Sequence, residues 1–157
     1  DEIEEGLSSF APSGGRSQLE TLNSGVKVLC DFYNANPASM RAAFKVLKAS
    51  ATGSSVMWLC LADMKELGEQ EESLHRELAA DIEALGSNLR VLLYGDKMKW
   101  LSDQIRKDAP KISVKEFGSQ ELMADELRKQ LKPQDVVLLK GSRSMRMEKV
   151  WEHIKGQ

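Results

Sequence analysis

The sequence predicts an α/β domain, a three-layer, Rossmann-like open sheet that is mostly parallel and carries a short antiparallel hairpin strand near its N-terminus. Three observations point there. Five short apolar runs, "VKVLC", "SVMWLCLA", "RVLLYG", "ISVKEF" and "VVLLK", are spread along the 157 residues. Each is followed by a segment whose apolar residues recur at helical spacing. Parallel neighbours need a crossover connection, and helices of this length supply it.

The hairpin comes first. "SQLETL" alternates polar and apolar residues, "NSG" is a turn signal, and "VKVLCDF" follows as the return strand. In "DFYNANPASM", Asn36 suits the cap of a helix and Pro37 its first position, where a missing N–H costs nothing. Met40, Ala43, Phe44 and Leu47 then form one apolar stripe. After "SVMWLCLA" the stripe is Leu74, Leu78, Ile82 and Leu85, and after "RVLLYG" it is Met98, Leu101 and Ile105. "ISVKEF" precedes Met123, Leu127 and Leu131, and "VVLLK" precedes Met147, Val150, Trp151 and Ile154. No internal repeat and no second core is visible.

Composition narrows the function classes. A formal net charge of −2 gives no general attraction to nucleic acid or to an anionic membrane. No apolar stretch approaches the ~20 residues of a membrane span, and no signal peptide opens the chain, so a cytoplasmic location is expected. Cys30 and Cys60 lie inside apolar runs without metal or redox spacing and read as reduced core residues. His75 reads as a satisfied structural histidine and His153 as a helix-end cation; no metal site is expected. The chain opens "DEIEEGL" without an initiator Met, as a domain of something longer or a processed chain would. It contains neither GxxxxGK followed by Ser or Thr nor GxGxxG after a strand, so it is not expected to turn over ATP unaided.

Open parallel sheets bind ligands beyond the carboxyl ends of their strands. Asp31 and Asn34 leave the first parallel strand there, and capping does not account for them. Asp31 could accept from ribose hydroxyls, or the pair could form an Asx-turn. "KGSRSMRMEK" gathers Lys140, Gly141, Ser142, Arg143, Ser144, Arg146 and Lys149 at the same edge, near the start of the last helix. Its two readings are an anion site and a helix capped by Ser144 with a solvated basic face.

"DFYNANPASM", "ADMKELGEQEESLHREL" and "LLKGSRSMRMEKV", in this order and spacing, resemble the C-terminal domain of the MurF family of Mur ligases, as does "GLSSFAPSGGRSQ". The resemblance covers the whole chain. It implies a lead-in segment, residues 1–15, from a preceding ATPase domain, and a ligase domain over residues 16–157. It also implies an ATP-dependent enzyme with magnesium, adding D-alanyl-D-alanine to UDP-N-acetylmuramoyl-tripeptide through an acyl phosphate, for which N-terminal and central domains are needed. By position, Arg16, Asp31 and Asn34 match nucleotide contacts, and Lys140, Gly141, Ser142, Arg143 and Ser144 match the loop for the dipeptide carboxylate. Asn36 and Asp63 also match family positions, Asn36 keeping its capping role, and no catalytic residue is implied within this domain alone. Two departures stand out: Phe32 replaces a small or hydroxyl residue, and Ala62 replaces the glycine of "GDM", where a positive φ would be opposed by its Cβ. The competing reading is a stand-alone, non-catalytic α/β binding or regulatory module.

Overall fold

The computed structural model describes residues 17–157. Arg16 and the lead-in segment therefore lie outside the described residues. The chain runs β1 (Gln18–Thr21), β2 (Lys27–Asp31), α1 (Pro37–Ser50), β3 (Met57–Ala62), α2 (Glu71–Glu83), β4 (Leu89–Tyr94), α3 (Met98–Asp108), β5 (Ser113–Phe117), α4 (Gln120–Gln130), β6 (Val136–Lys140) and α5 (Glu148–Ile154). Short 3₁₀ turns at Gly68–Gln70 and Arg143–Met145 precede α2 and α5.

The six strands lie in the order β1-β2-β6-β3-β4-β5. β1 pairs antiparallel with β2, and every other neighbour is parallel, as the hairpin and crossover patterns predict. Alternation along each strand divides the core in two. Met57, Leu59 and Leu61 of β3 face α1, α2 and α3, whereas Trp58, Cys60 and Ala62 face α4 and α5. The central strands are buried on both sides, so their sequences read as continuous apolar runs.

The α1 stripe is buried as expected, Met40, Ala43, Phe44 and Leu47. In α2 the buried face is shifted, with His75 inside and Leu74 half-buried. His75 can take that place because both ring nitrogens are satisfied: Nδ1–H donates to Glu71 O (2.7 Å) and Nε2 accepts from Met64 N (3.1 Å). Burial holds its pKa below the ordinary histidine value, which favours the neutral ring this pattern requires. Both cysteines are buried free thiols with pKa values pushed up, chiefly by burial.

Two adjustments concern the last segment and the family departures. Ser144 does not cap α5, which starts only at Glu148 after Met147 and has no side-chain cap. The chain first turns through Arg143–Met145, burying Met145, and passes Arg146 in the left-handed region at φ +52°. Ala62 ends β3 and is absent from the positive-φ residues, so its Cβ meets no backbone conflict there. Phe32 is buried with Val28, Cys30 and α5, an addition to the core.

Candidate functional site: a cleft at the switch point of the sheet

β6 is inserted between β2 and β3, and the connections leaving these strands part company at their carboxyl ends. The β2–α1 and β3–α2 connections pass to one face of the sheet, and the chain after β6 passes to the other. Such a divergence opens a crevice. The resulting cleft of about 530 Å³ is lined by Tyr33 and Asn34 from the first loop, Lys65 and Glu66 from the second, and Ser142, Arg143, Ser144, Arg146 and Glu148 from the third.

Residues distant in sequence meet behind it. Asp31 and Lys140 end neighbouring strands in register. The Lys140 ammonium, 1% exposed, donates to Asp31 Oδ2 at 2.8 Å and to the main-chain oxygen of Asn34 at 2.8 Å. Ser17 Oγ donates to the same carboxylate oxygen at 3.3 Å. A carboxylate at a strand end and a lysine of the basic loop, assigned to different ligands by the resemblance, thus form one buried ion pair.

The remaining sequence-derived residues divide by geometry. Asn34 is exposed and lines the cleft, and Arg143 and Ser144 are exposed on the opposite wall. The Arg143 guanidinium stands 5.8 Å from the centre of the Tyr33 ring, a cation–π contact across the cleft. Ser142 is mostly buried, its Oγ accepting from Lys65 N at 2.7 Å, while its own N–H donates to Asp63 O. Gly141 is needed as such, because a Cβ there would fall 2.6 Å from that of Ala62. Asn36 completes a capping box with Ser39: its Oδ1 accepts from Ser39 N at 2.8 Å and its N–H donates to Ser39 Oγ at 3.0 Å.

Asp63 is buried beside the cleft, where Oδ1 accepts from the N–H groups of Lys97 and Met98, each at 3.1 Å, at the start of α3. Its carboxyl pKa is raised, chiefly by burial, against those two bonds and the Lys65 ammonium 3.7 Å from Oδ2. Asp63 and Lys65 also border a second cleft, about 510 Å³, over the ends of β4 and β5.

Sequence reasoning missed Tyr33, Lys65, Glu66 and Glu148 as cleft residues. Glu66 and Arg146 are two of the three described non-glycine residues with positive φ, at +62° and +52°, and both line this cleft. Such conformations cost energy and gather at functional sites. No local sequence signal marks them.

Fold and cleft together define a mostly parallel α/β domain with an open crevice at the carboxyl ends of its strands. Among known proteins, the model of the family described as "Mur ligase, glutamate ligase domain" matches residues 15–143, and the chain belongs to that family. It is 32% identical over 145 residues to the UDP-N-acetylmuramoyl-tripeptide–D-alanyl-D-alanine ligase of Bacillus subtilis, covering 92% of this chain and 31% of that protein. The corresponding ligase of Haemophilus influenzae is 34% identical over 160 residues, covering 98% of this chain and 33% of that protein. The crystal structure of MurF ligase from Thermotoga maritima in complex with ADP superposes with a TM-score of 0.76 at 27% identity, covering 95% of this chain and 32% of that one. The chain thus spans about a third of the length of the relatives it matches.

Proposed function

We propose that the chain is the closing domain of an ATP-dependent ligase that joins D-alanyl-D-alanine to UDP-N-acetylmuramoyl-tripeptide in peptidoglycan precursor synthesis. In such a reaction the tripeptide carboxylate takes the γ-phosphoryl group of ATP. The dipeptide amine then displaces phosphate from the acyl phosphate, and the new amide, ADP and phosphate result. This domain supplies contacts and excludes water, while the rest of the protein supplies the phosphate cradle and the tripeptide site.

The observation that carries this reading is the cleft at the switch point, with charged side chains of both signs among its lining and a carboxylate behind it. A dipeptide is a zwitterion. Arg143, with Ser142 and Ser144 beside it, suits the carboxylate end, and Lys140 and Gly141 shape the loop that presents them. Asp31 suits a ribose hydroxyl: its Oδ1 has no hydrogen-bond donor among the described residues, and Asn34 lies beside it. Arg16 would add a permanent cation for the phosphates. Magnesium would accompany the ATP phosphates and be held mainly by the rest of the protein. Asn36 and Asp63 serve as supports for the loops. Cytoplasmic location is part of this proposal; the described residues include no helix long and apolar enough to cross a membrane.

The test is ADP release by the full-length protein given ATP, magnesium and UDP-N-acetylmuramoyl-tripeptide, with and without D-alanyl-D-alanine. Release that depends on the dipeptide supports the reading. Equal release without it, or with L-alanyl-L-alanine in its place, sinks it.

A further inference from the structure

Lys140 does not line the cleft, although Ser142, Arg143 and Ser144 just after it do. Its ammonium lies behind the wall, 1% exposed, and both of its hydrogen-bond acceptors come from the segment that ends β2 and leads into α1. The partners are 109 and 106 residues away in sequence. Taking an ammonium and a carboxylate out of water is costly, and an apolar pair of similar volume would serve packing as well or better. A buried pair in such a place is therefore better explained by what it aligns than by the stability it adds.

What it aligns can be followed residue by residue. Asp31 Oδ2 and the Asn34 carbonyl are drawn to one point, which fixes the backbone on either side of Phe32 and Tyr33. Tyr33 in turn faces the Arg143 guanidinium at 5.8 Å. Arg143 follows Lys140 by three residues. The chain of contacts closes on itself, from Asp31 through Lys140 to Asn34, Tyr33 and Arg143.

We infer that Lys140 is a positioning residue that ties the β2–α1 loop to the β6–α5 loop, holding Asp31 and the Asn34 main chain together so that binding on either side of the cleft depends on the other. This rests on the function proposed above. Lys140 then touches neither nucleotide nor dipeptide, and its removal disturbs both.

The experiment uses the full-length ligase and steady-state kinetics with each substrate varied. Lys140→Met is expected to raise the KM for ATP and the KM for D-alanyl-D-alanine by about tenfold each, within the ordinary range of coupling between sites. In an Asp31→Asn background the same substitution should change the ATP KM less than about twofold, because the two residues act as one unit. Lys140→Arg, which keeps the charge, should recover part of both losses. A rise in the dipeptide KM alone, equal in both backgrounds, would make Lys140 a direct ligand and overturn the inference. Should Lys140→Met not fold, Asp31→Asn decides: the inference requires it to raise the dipeptide KM as well, and an effect on ATP alone overturns it. Wild-type turnover is measured first. If it does not depend on D-alanyl-D-alanine, the functional reading fails, and Lys140 is judged by hydrogen exchange of the 32–36 amides, where Lys140→Met must raise the rate and unchanged exchange refutes the tie.

Discussion

Asp63 packs against Gly95 so closely that no side chain fits between them: a Cβ on Gly95 would lie 2.5 Å from the Asp63 carboxyl carbon. Gly95 also has φ +117°, a conformation that L side chains rarely adopt. The two requirements reinforce each other, because the turn that needs glycine is what brings the start of α3 onto Asp63 Oδ1. Gly95→Ala should therefore cost about 3 kcal/mol through overpacking and backbone strain. Urea denaturation of the chain would register this as a lower midpoint with an unchanged slope.

His75 makes stability depend on pH. Its folded pKa lies below the unfolded value of 6.5, because burial disfavours the imidazolium and because Nε2 must accept from Met64 N. The sign follows from proton counting: below pH 6.5 the unfolded chain binds a proton that the folded chain refuses, so stability is full above that pH and falls as pH drops toward the lowered folded value. Asp63, Glu71 and Lys97 surround the ring, and the two carboxylates oppose the shift. In His75→Gln, denaturation midpoints at pH 7.5 and 5.5 should differ less than in the wild type; an equal difference would show that another group carries the effect.

Asp31→Ala removes the proposed ribose contact, and it also strands the Lys140 ammonium. Breaking a buried pair from one side costs roughly 3–5 kcal/mol, so the single variant should melt well below the wild type. The double variant Asp31→Ala/Lys140→Met should regain much of that loss. Thermal midpoints of the four forms test this directly, and they show how much of any loss of ATP use in Asp31→Ala is a folding defect.

Arg143→Ala should raise the dipeptide requirement of the full-length enzyme with little change in that for ATP, since the guanidinium stands on the cleft wall facing Tyr33. Equal changes in both KM values would remove Arg143 from carboxylate recognition.

Asp135 anchors the opposite end of the sheet. Its carboxylate accepts from Val56 N, Trp58 Nε1 and Lys132 N, each at 3.0 Å, and it is 2% exposed. Asp135→Ala leaves three donors without their acceptor, one of them in the core, and should destabilise by about 3 kcal/mol. Near-ultraviolet circular dichroism would show the loss at Trp58 as well as in the midpoint.

Much of this organisation is visible in the sequence because it depends on local periodicity. Apolar runs mark the strands buried on both faces, and Asn36 with Pro37 marks the start of α1. Where reading and structure diverge, a distant contact decides. His75 displaces Leu74 from the core face because Met64, eleven residues upstream, offers it an N–H. The start of α5 shifts because Ser142 is held by Asp63 and Lys65 on another loop. The union of Asp31 with Lys140 needs the sheet order, which no window of sequence contains.

That strand order has a consequence for how the chain is made. β6 comes last in sequence among the described strands of this sheet, yet it lies between β2 and β3. Until it leaves the ribosome, those two strands have no common neighbour, and their facing edges remain unpaired and apolar. Hairpin, helices and the β3–β4–β5 sheet can form early, but the two halves join only when the final strand slides between them. Released chains that end before residue 136 should therefore be sensitive to protease and prone to aggregate, and chains that include β6 much less so.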